Sequence, residues 1–422
     1  MSMHRSFMRS LKVAALAATF LTAGFSFAVA EDAAFTLKIG VLAGLTGDPA
    51  ADGQSWNAST KLAVDEVNAA LDRLKLSGIK VELTDAQDSQ GTPQQGVEAA
   101  QKLVQIDGVN VIVGDFYSSV TSAVATAVAI PNQVLVFTGG TNPALTKLNT
   151  GSPSYIWQPV AADDSQGRAL AQVIADALGP KAKIAVAARN DAYGTSLAAV
   201  FKDAWLKGGG TIAQYIIYNQ QQPTLDTEAQ QLVSGSPDGW LFIDFCQTFE
   251  KLAQPLIRTG KWDAGKSFGS DTLNDCSGRG TKNYPGLRAT QANASSGASF
   301  PAFKAAFEKD AKKGVAFQAW TAEAFDSVFV AFLAALEAKS SEPDKIAEHI
   351  VDITNDPGTP YTFEKLDDAI KAVMAGQKIH FVGATGPLNF SANGQVNSLA
   401  YDIWQHKTDG SAGVIKTIQL KP

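Results

Sequence analysis

Short apolar runs alternate with longer amphipathic stretches along most of the chain. "FTLKIGVL" (35–42), "IKVELTDA" (79–86), "VNVIVGD" (109–115) and "VLVFTGG" (134–140) have the length and β-branched content of buried strands. Between them, Trp56, Leu62, Ala63, Val67, Leu71 and Leu74 recur at helical spacing, as do the apolar positions of 93–106 and 118–128. The rhythm restarts with a helix over 163–178, then "KIAVAAR" (183–189), a helix over 195–207, "TIAQYIIY" (211–218), "GWLFIDF" (239–245), a helix over 248–258 and a short strand "SFGSD" (267–271). Strands alternating with helices predict βαβ units and parallel sheets covered on both faces, an α/β class built as two lobes of like construction.

After Leu287 the pattern turns helical, with helices over 301–313 and 316–339, a loop carrying Pro357 and Pro360, and a helix over 364–375. The segment 386–407 reads as two strands joined at Asn393–Gly394.

The amino-terminal segment changes this picture. Arg5, Arg9 and Lys12 precede the apolar run 13–25 and the small residues 28–30, the order of a secretory signal peptide cleaved near Ala30. Removing 1–30 takes away three of the 35 basic residues and none of the 41 acidic ones, moving the net charge from −6 to about −9. That balance argues against nucleic acid or an anionic membrane as partner. With no further apolar run of about 18 residues, direct membrane insertion is not expected. Cys246 and Cys276 both fall in the exported part and are a disulfide candidate; the alternative is two buried thiols.

Two motifs mislead. "GKWDAGKS" (260–267) fits the Walker A spacing, but a helix precedes it and a strand follows, the reverse of what a phosphate cradle needs. "GGG" (208–210) likewise ends a helix. The histidines His349, His380 and His406 lack metal-ligand spacing, and no G-x-S-x-G elbow occurs. No cofactor, metal site or catalytic group is therefore expected, and an exported hydrolase has no visible nucleophile.

Ligands of parallel sheets bind beyond the strands' carboxyl ends. Read in order, those ends carry Leu45–Thr46, Tyr117–Ser119, Gly139–Thr141, Asp191–Tyr193, Phe245–Gln247 and Asp271. Helix capping explains one hydroxyl among Ser118, Ser119 and Thr121, not a row of them beside Tyr117. Gly139 and Gly140 would let backbone approach a ligand, or make a plain turn capped by Thr141 or Asn142. Asp271 could meet an ammonium group or cap a turn, and Asp244 is its rival. Trp56 and Tyr193 could wall an apolar side chain or pack in cores.

With "IGVLAGLTGDPAADG", "VIVGDFYSS", "TGGTNPALT", "ARNDAYGTS" and "GATGPLNFSANGQV" in this order, the chain resembles the type I periplasmic solute-binding proteins of ABC importers, in the branch for branched-chain and other hydrophobic amino acids, amides and aromatic acids. The resemblance covers nearly all of 35–407. It implies two doubly wound three-layer α/β/α lobes, lobe 1 from 31–158 and 292–381 and lobe 2 from 159–291 and 382–422. Three crossings join them, near Trp157–Val160, Ala289–Ala292 and Phe381–Gly386. It also implies a monomeric, non-enzymatic receptor that closes on a small carboxylate, foremost a neutral amino acid, and hands it to permease subunits. An aromatic acid, an amide or a sensor role are the alternatives.

Carried over by position, Ser118 and Ser119 with Thr141 would hold the carboxylate, a carbonyl of Gly139 or Gly140 and Asp271 the ammonium, and Tyr193 would face them across the cleft. Gln247 stands where relatives often have an aromatic residue, and Cys246 and Cys276 are not the usual lobe-one pair.

Overall fold

The computed structural model describes residues 34–293, 297–311, 314–396 and 399–420; the expected signal peptide lies outside them. Two seven-stranded sheets organise the chain. In the first, the strands run Gln395–Val396, Ile156–Ala161, Leu135–Phe137, Val111–Gly114, Phe35–Ala43 and Ile79–Leu83, with Gln87–Asp88 also on Phe35–Ala43, all parallel. In the second, the order is Ala412–Gln419, Ala400–His406, Arg288–Ala292, Ser267–Gly269, Gly239–Ile243, Lys183–Arg189 and Thr211–Tyr218. Only Ala400–His406 is antiparallel to its neighbours there. Val111–Gly114 and Gly239–Ile243 are wholly buried, as strands covered on both faces must be.

The core of the first lobe forms where the long helix Ala50–Leu74 and the nearly all-apolar helix Thr321–Ala338 pack over one face of the sheet. After Arg288–Ala292 the chain thus packs its next long helix, Thr321–Ala338, on the first sheet.

Two expectations need correction. A helix, Pro343–Thr354, occupies part of the expected loop; Ile346, Ala347, Ile350 and Ile353 give it a buried stripe and Pro343 suits its first turn. The Asn393–Gly394 turn exists, closed by Gly394 N–H to the Ser391 carbonyl at 2.8 Å, but joins no hairpin. Gln395–Val396 pairs with the first sheet, and the hairpin partner of Ala400–His406 is Ala412–Gln419. Gln395–Val396 thus belongs to the first sheet and Ala400–His406 to the second. Phe390, packed edge-on against Trp157 at 5.4 Å, holds 386–396 to the first lobe.

Cys246 and Cys276 form a disulfide, with Cα atoms 5.3 Å apart. Among the described residues no helix is long and apolar enough to cross a membrane.

Candidate functional site

The carboxyl ends of both sheets face one another, and side chains from the two lobes meet there. Tyr117 stacks on Phe245 at 4.5 Å between ring centres. The Arg189 guanidinium lies beside both rings, 4.4 Å from Phe245 and 5.8 Å from Tyr117. Asn142 donates to the Ala192 carbonyl at 2.6 Å, and Gln318 to the Gly278 carbonyl at 3.1 Å. Asp52, in the first turn of Ala50–Leu74, takes three hydrogen bonds from Arg279 of the second lobe at 3.0–3.2 Å. Both side chains are buried. The lobes are closed on each other.

Ser118 is the first residue of the helix Ser118–Val124, and Tyr117 occupies the capping position without a side-chain cap bond. The hydroxyls therefore do not cap. Ser118 Oγ accepts from Asn142 N–H at 3.3 Å, drawing the 139–142 loop onto the helix start. Gly140 permits this approach, since a Cβ there would stand 3.1 Å from Ser118 Cα. Gly139 is needed too, because its Cβ would lie 2.7 Å from Phe116 and 2.9 Å from Trp56. Trp56 is thus a floor beneath the loop, buried and bonded to the Val113 carbonyl.

Two other expected contacts change. The Gly140 carbonyl already accepts from Gln158 Nε2 at 2.6 Å. Gln247 is exposed and lines an outer hollow with Gly47, Asp48 and Gln54 rather than the inner site.

The acids are more numerous than the sequence suggested. Asp271 is buried and accepts from the Tyr193 hydroxyl at 2.6 Å. Burial raises its pKa, and the Tyr193 bond works against that. Its rival Asp244 is engaged internally by Tyr218, by Phe245 N–H and by Arg189 at 3.6 Å. Asp163, fully buried at the start of the helix Asp163–Leu178, has the hydroxyls of Thr141 and Ser196 beside its carboxylate but, among the described residues, no basic partner. Burial pushes it up to about 8, with the nearby Thr141 hydroxyl opposing and Asp271 adding to the rise. Glu323, from Thr321–Ala338, also lacks a partner on Oε2, and burial takes it to about 8.

Asp271 and Glu323 share a recess with Gln166, Gln291, Trp320 and Tyr401. Its free volume is about 10 Å³. Across Gln291, Trp320 and Glu323 it adjoins a cavity of about 370 Å³ walled partly by Phe300, Phe317 and Trp404. Ser118, Ser119 and Thr141 line neither space; Thr141 reaches the acids through Asp163. The sequence reading missed Asp163 and Glu323. Asp163 follows the strand Ile156–Ala161 and was open to the same strand-end logic; Glu323 comes from a helix that the logic does not cover.

The chain belongs to the periplasmic binding protein family, whose description matches residues 36–411. It is 27% identical over 401 residues to Leu/Ile/Val-binding protein homolog 3 of Brucella melitensis, covering 94% of this chain and 97% of that protein. Among solved structures it resembles a leucine-binding protein from Thermotoga maritima, with a TM-score of 0.74 at 22% identity over 91% of this chain and 99% of that one. A solute-binding protein of an ABC transporter from R. palustris, in complex with 4-hydroxybenzoate, gives 0.70 at 17% identity over 92% and 98%. At such identities the structures establish the shared fold.

Proposed function

We propose that this protein is the extracytoplasmic, non-enzymatic receptor of an ABC importer and that it carries a small amino acid to its permease. One observation supports this best: buried acids meet buried hydroxyls at the junction of two lobes, the complement of a zwitterion. The lobes part about the three crossings, a ligand enters, and closure removes it from water. Its carboxylate meets Ser118 and Thr141, and its ammonium meets Asp271. Charge-assisted bonds gain strength once the cleft is dry. The cavity beside the acids is of a size that takes an amino-acid side chain, and its aromatic walls add about 25 cal/mol per Å² of apolar surface covered. The Brucella protein named for leucine, isoleucine and valine supports an aliphatic side chain.

A thermal-shift panel of amino acids, amides and benzoate-type acids tests the reading. A true ligand at a hundredfold excess over Kd stabilises by about 2.7 kcal/mol. No shift with any member would refute it. Ser118→Ala is expected to weaken binding about tenfold, the size of one bond to a charged group, while leaving the melting temperature of the free protein unchanged. Unaltered affinity by calorimetry would remove Ser118 from the site.

A further inference from the structure

We propose that Glu323 and Asp271, one carboxylate from each lobe, hold the ligand's ammonium between them, so that Glu323 selects amine-bearing ligands over acids that lack an amine. The inference rests on the receptor reading above and sharpens it. Glu323 stands on a first-lobe helix, and Asp271 follows a second-lobe strand. Both line one recess, and no basic side chain lines it among the described residues. Glu323 is 6% exposed and Oε2 has no partner, an arrangement costly to keep unless something fills it. The free space of about 10 Å³ is close to what one water molecule needs, and an ammonium group is of that size. The ligand's side chain would continue past Trp320 into the larger cavity.

The pairing also gives the site its discrimination. A cation between carboxylates of opposite lobes is satisfied only when the lobes meet, so the amine itself favours closure. An acid without an amine leaves both carboxyl groups without that partner and brings a further negative charge towards them. Sites built to bond a polar group reject analogues lacking it far more strongly than apolar pockets reject a missing methylene.

A proton balance follows. With the lobes closed and no ligand between them, Glu323 is largely protonated at neutral pH because burial holds it near 8. Holding a cation requires the carboxylate, so the proton leaves to solvent when the ammonium arrives. Affinity for an amine-bearing ligand then rises with pH up to about 8, by at most about tenfold per unit for each proton released. The surrounding groups fix the sign. Asp326 on the same helix and Asp271 opposite both raise Glu323. Asp271 raises Asp163 as well, so the acids around the recess repel one another. Gln166, Gln291 and Tyr401 complete the recess without charge. Arg279, in the adjoining cavity with Asp275, Asp402 and Lys304, is bound to Asp52.

The test is calorimetry with two matched pairs, L-leucine with 4-methylpentanoate and L-phenylalanine with 3-phenylpropanoate, run in buffers of different ionisation enthalpy across about pH 6–8. The amino acid of at least one pair should bind about 100-fold tighter than its amine-free twin. Glu323→Gln should weaken it about tenfold or more, reduce the proton release and leave the twin's binding no weaker. This substitution is nearly isosteric and removes a buried acid, so the protein should fold; Asp271→Asn supplies the second variant and should behave alike. Equal binding of the amine-free twin, or a Glu323→Gln protein with unchanged affinity and pH slope, overturns the clamp and spares the receptor reading. Failure of all four compounds together with the whole thermal-shift panel overturns both.

Discussion

Asp52→Ala is expected to weaken ligand binding by about 150-fold to 5000-fold while changing the melting temperature of the free protein by no more than about 3 °C. The reason is where the pair sits. Asp52 and Arg279 come from different lobes, are 5% and 6% exposed, and share three hydrogen bonds. Parting the lobes returns both charges to water, so the pair is dry only in the closed state. Removing one member leaves a buried, partly uncompensated guanidinium, a cost of about 3–5 kcal/mol. Asn274 Oδ1 and the Asp275 carbonyl still bind Arg279 at 2.9 and 2.8 Å, but neither carries a countercharge. The open state escapes that cost, so the mutation appears as lost closure, and hence lost affinity, rather than as unfolding. Replacing both residues, Asp52→Leu with Arg279→Met, should recover much of the affinity, because an apolar pair avoids the desolvation of two ions. Calorimetry with the best amino acid of the panel, beside small-angle scattering of the free and bound protein, measures this. A variant that loses stability but not affinity would show that the pair holds the fold and not the cleft.

That pair also marks the limit of what the chain discloses in one dimension. Strand existence was legible because parallel strands buried on both faces, such as Val111–Gly114, leave uninterrupted apolar runs. Helices were legible where one face is apolar, and the disulfide partners were legible by elimination, since the chain has two cysteines. Gln395–Val396 misled because a two-residue strand has no period to read; its place was decided by Phe390 packing on Trp157.

At the site, strand-end logic pointed to Tyr117, Ser118, Thr141, Tyr193 and Asp271, all of which are buried. It also offered Trp56, which is buried and bonded to the Val113 carbonyl, and Gln247, which is exposed. Glu323 and Arg279 escaped because neither belongs to a strand end of its own lobe: in the clamp and the closure proposed here, each would act through what the opposite lobe brings to it. Charges that meet only across a closing cleft are separated in the sequence by hundreds of positions, and no local pattern links them.

Breaking the disulfide should have the largest effect on stability. The Cys246–Cys276 bridge spans a separation of 30 residues, so the chain-entropy model assigns it about 3–4 kcal/mol. Cys246→Ala with Cys276→Ala should lower the urea midpoint accordingly. Affinity should fall as well, for a structural reason. The bridged loop contains Asp271, and Arg279 lies just beyond it, each in a three-residue turn with no side-chain cap bond. Cys276 is tied to the first turn of the helix Cys246–Arg258, and through it these turns are fixed against the second sheet. Without the bridge, the acid for the ammonium and the cation that meets Asp52 lose a shared anchor. The effect should therefore resemble Asp52→Ala in binding and exceed it in unfolding. Equilibrium urea curves and calorimetry on the double alanine variant, with the wild type in dithiothreitol alongside, separate the two contributions. A stability loss under about 1 kcal/mol would mean that strand pairing of Ser267–Gly269 suffices to hold the loop. The same bridge requires an oxidising compartment, in keeping with the expected export signal. Protein made without residues 1–30 in a reducing cytoplasm should carry two free thiols and bind as weakly as the alanine variant until it is oxidised.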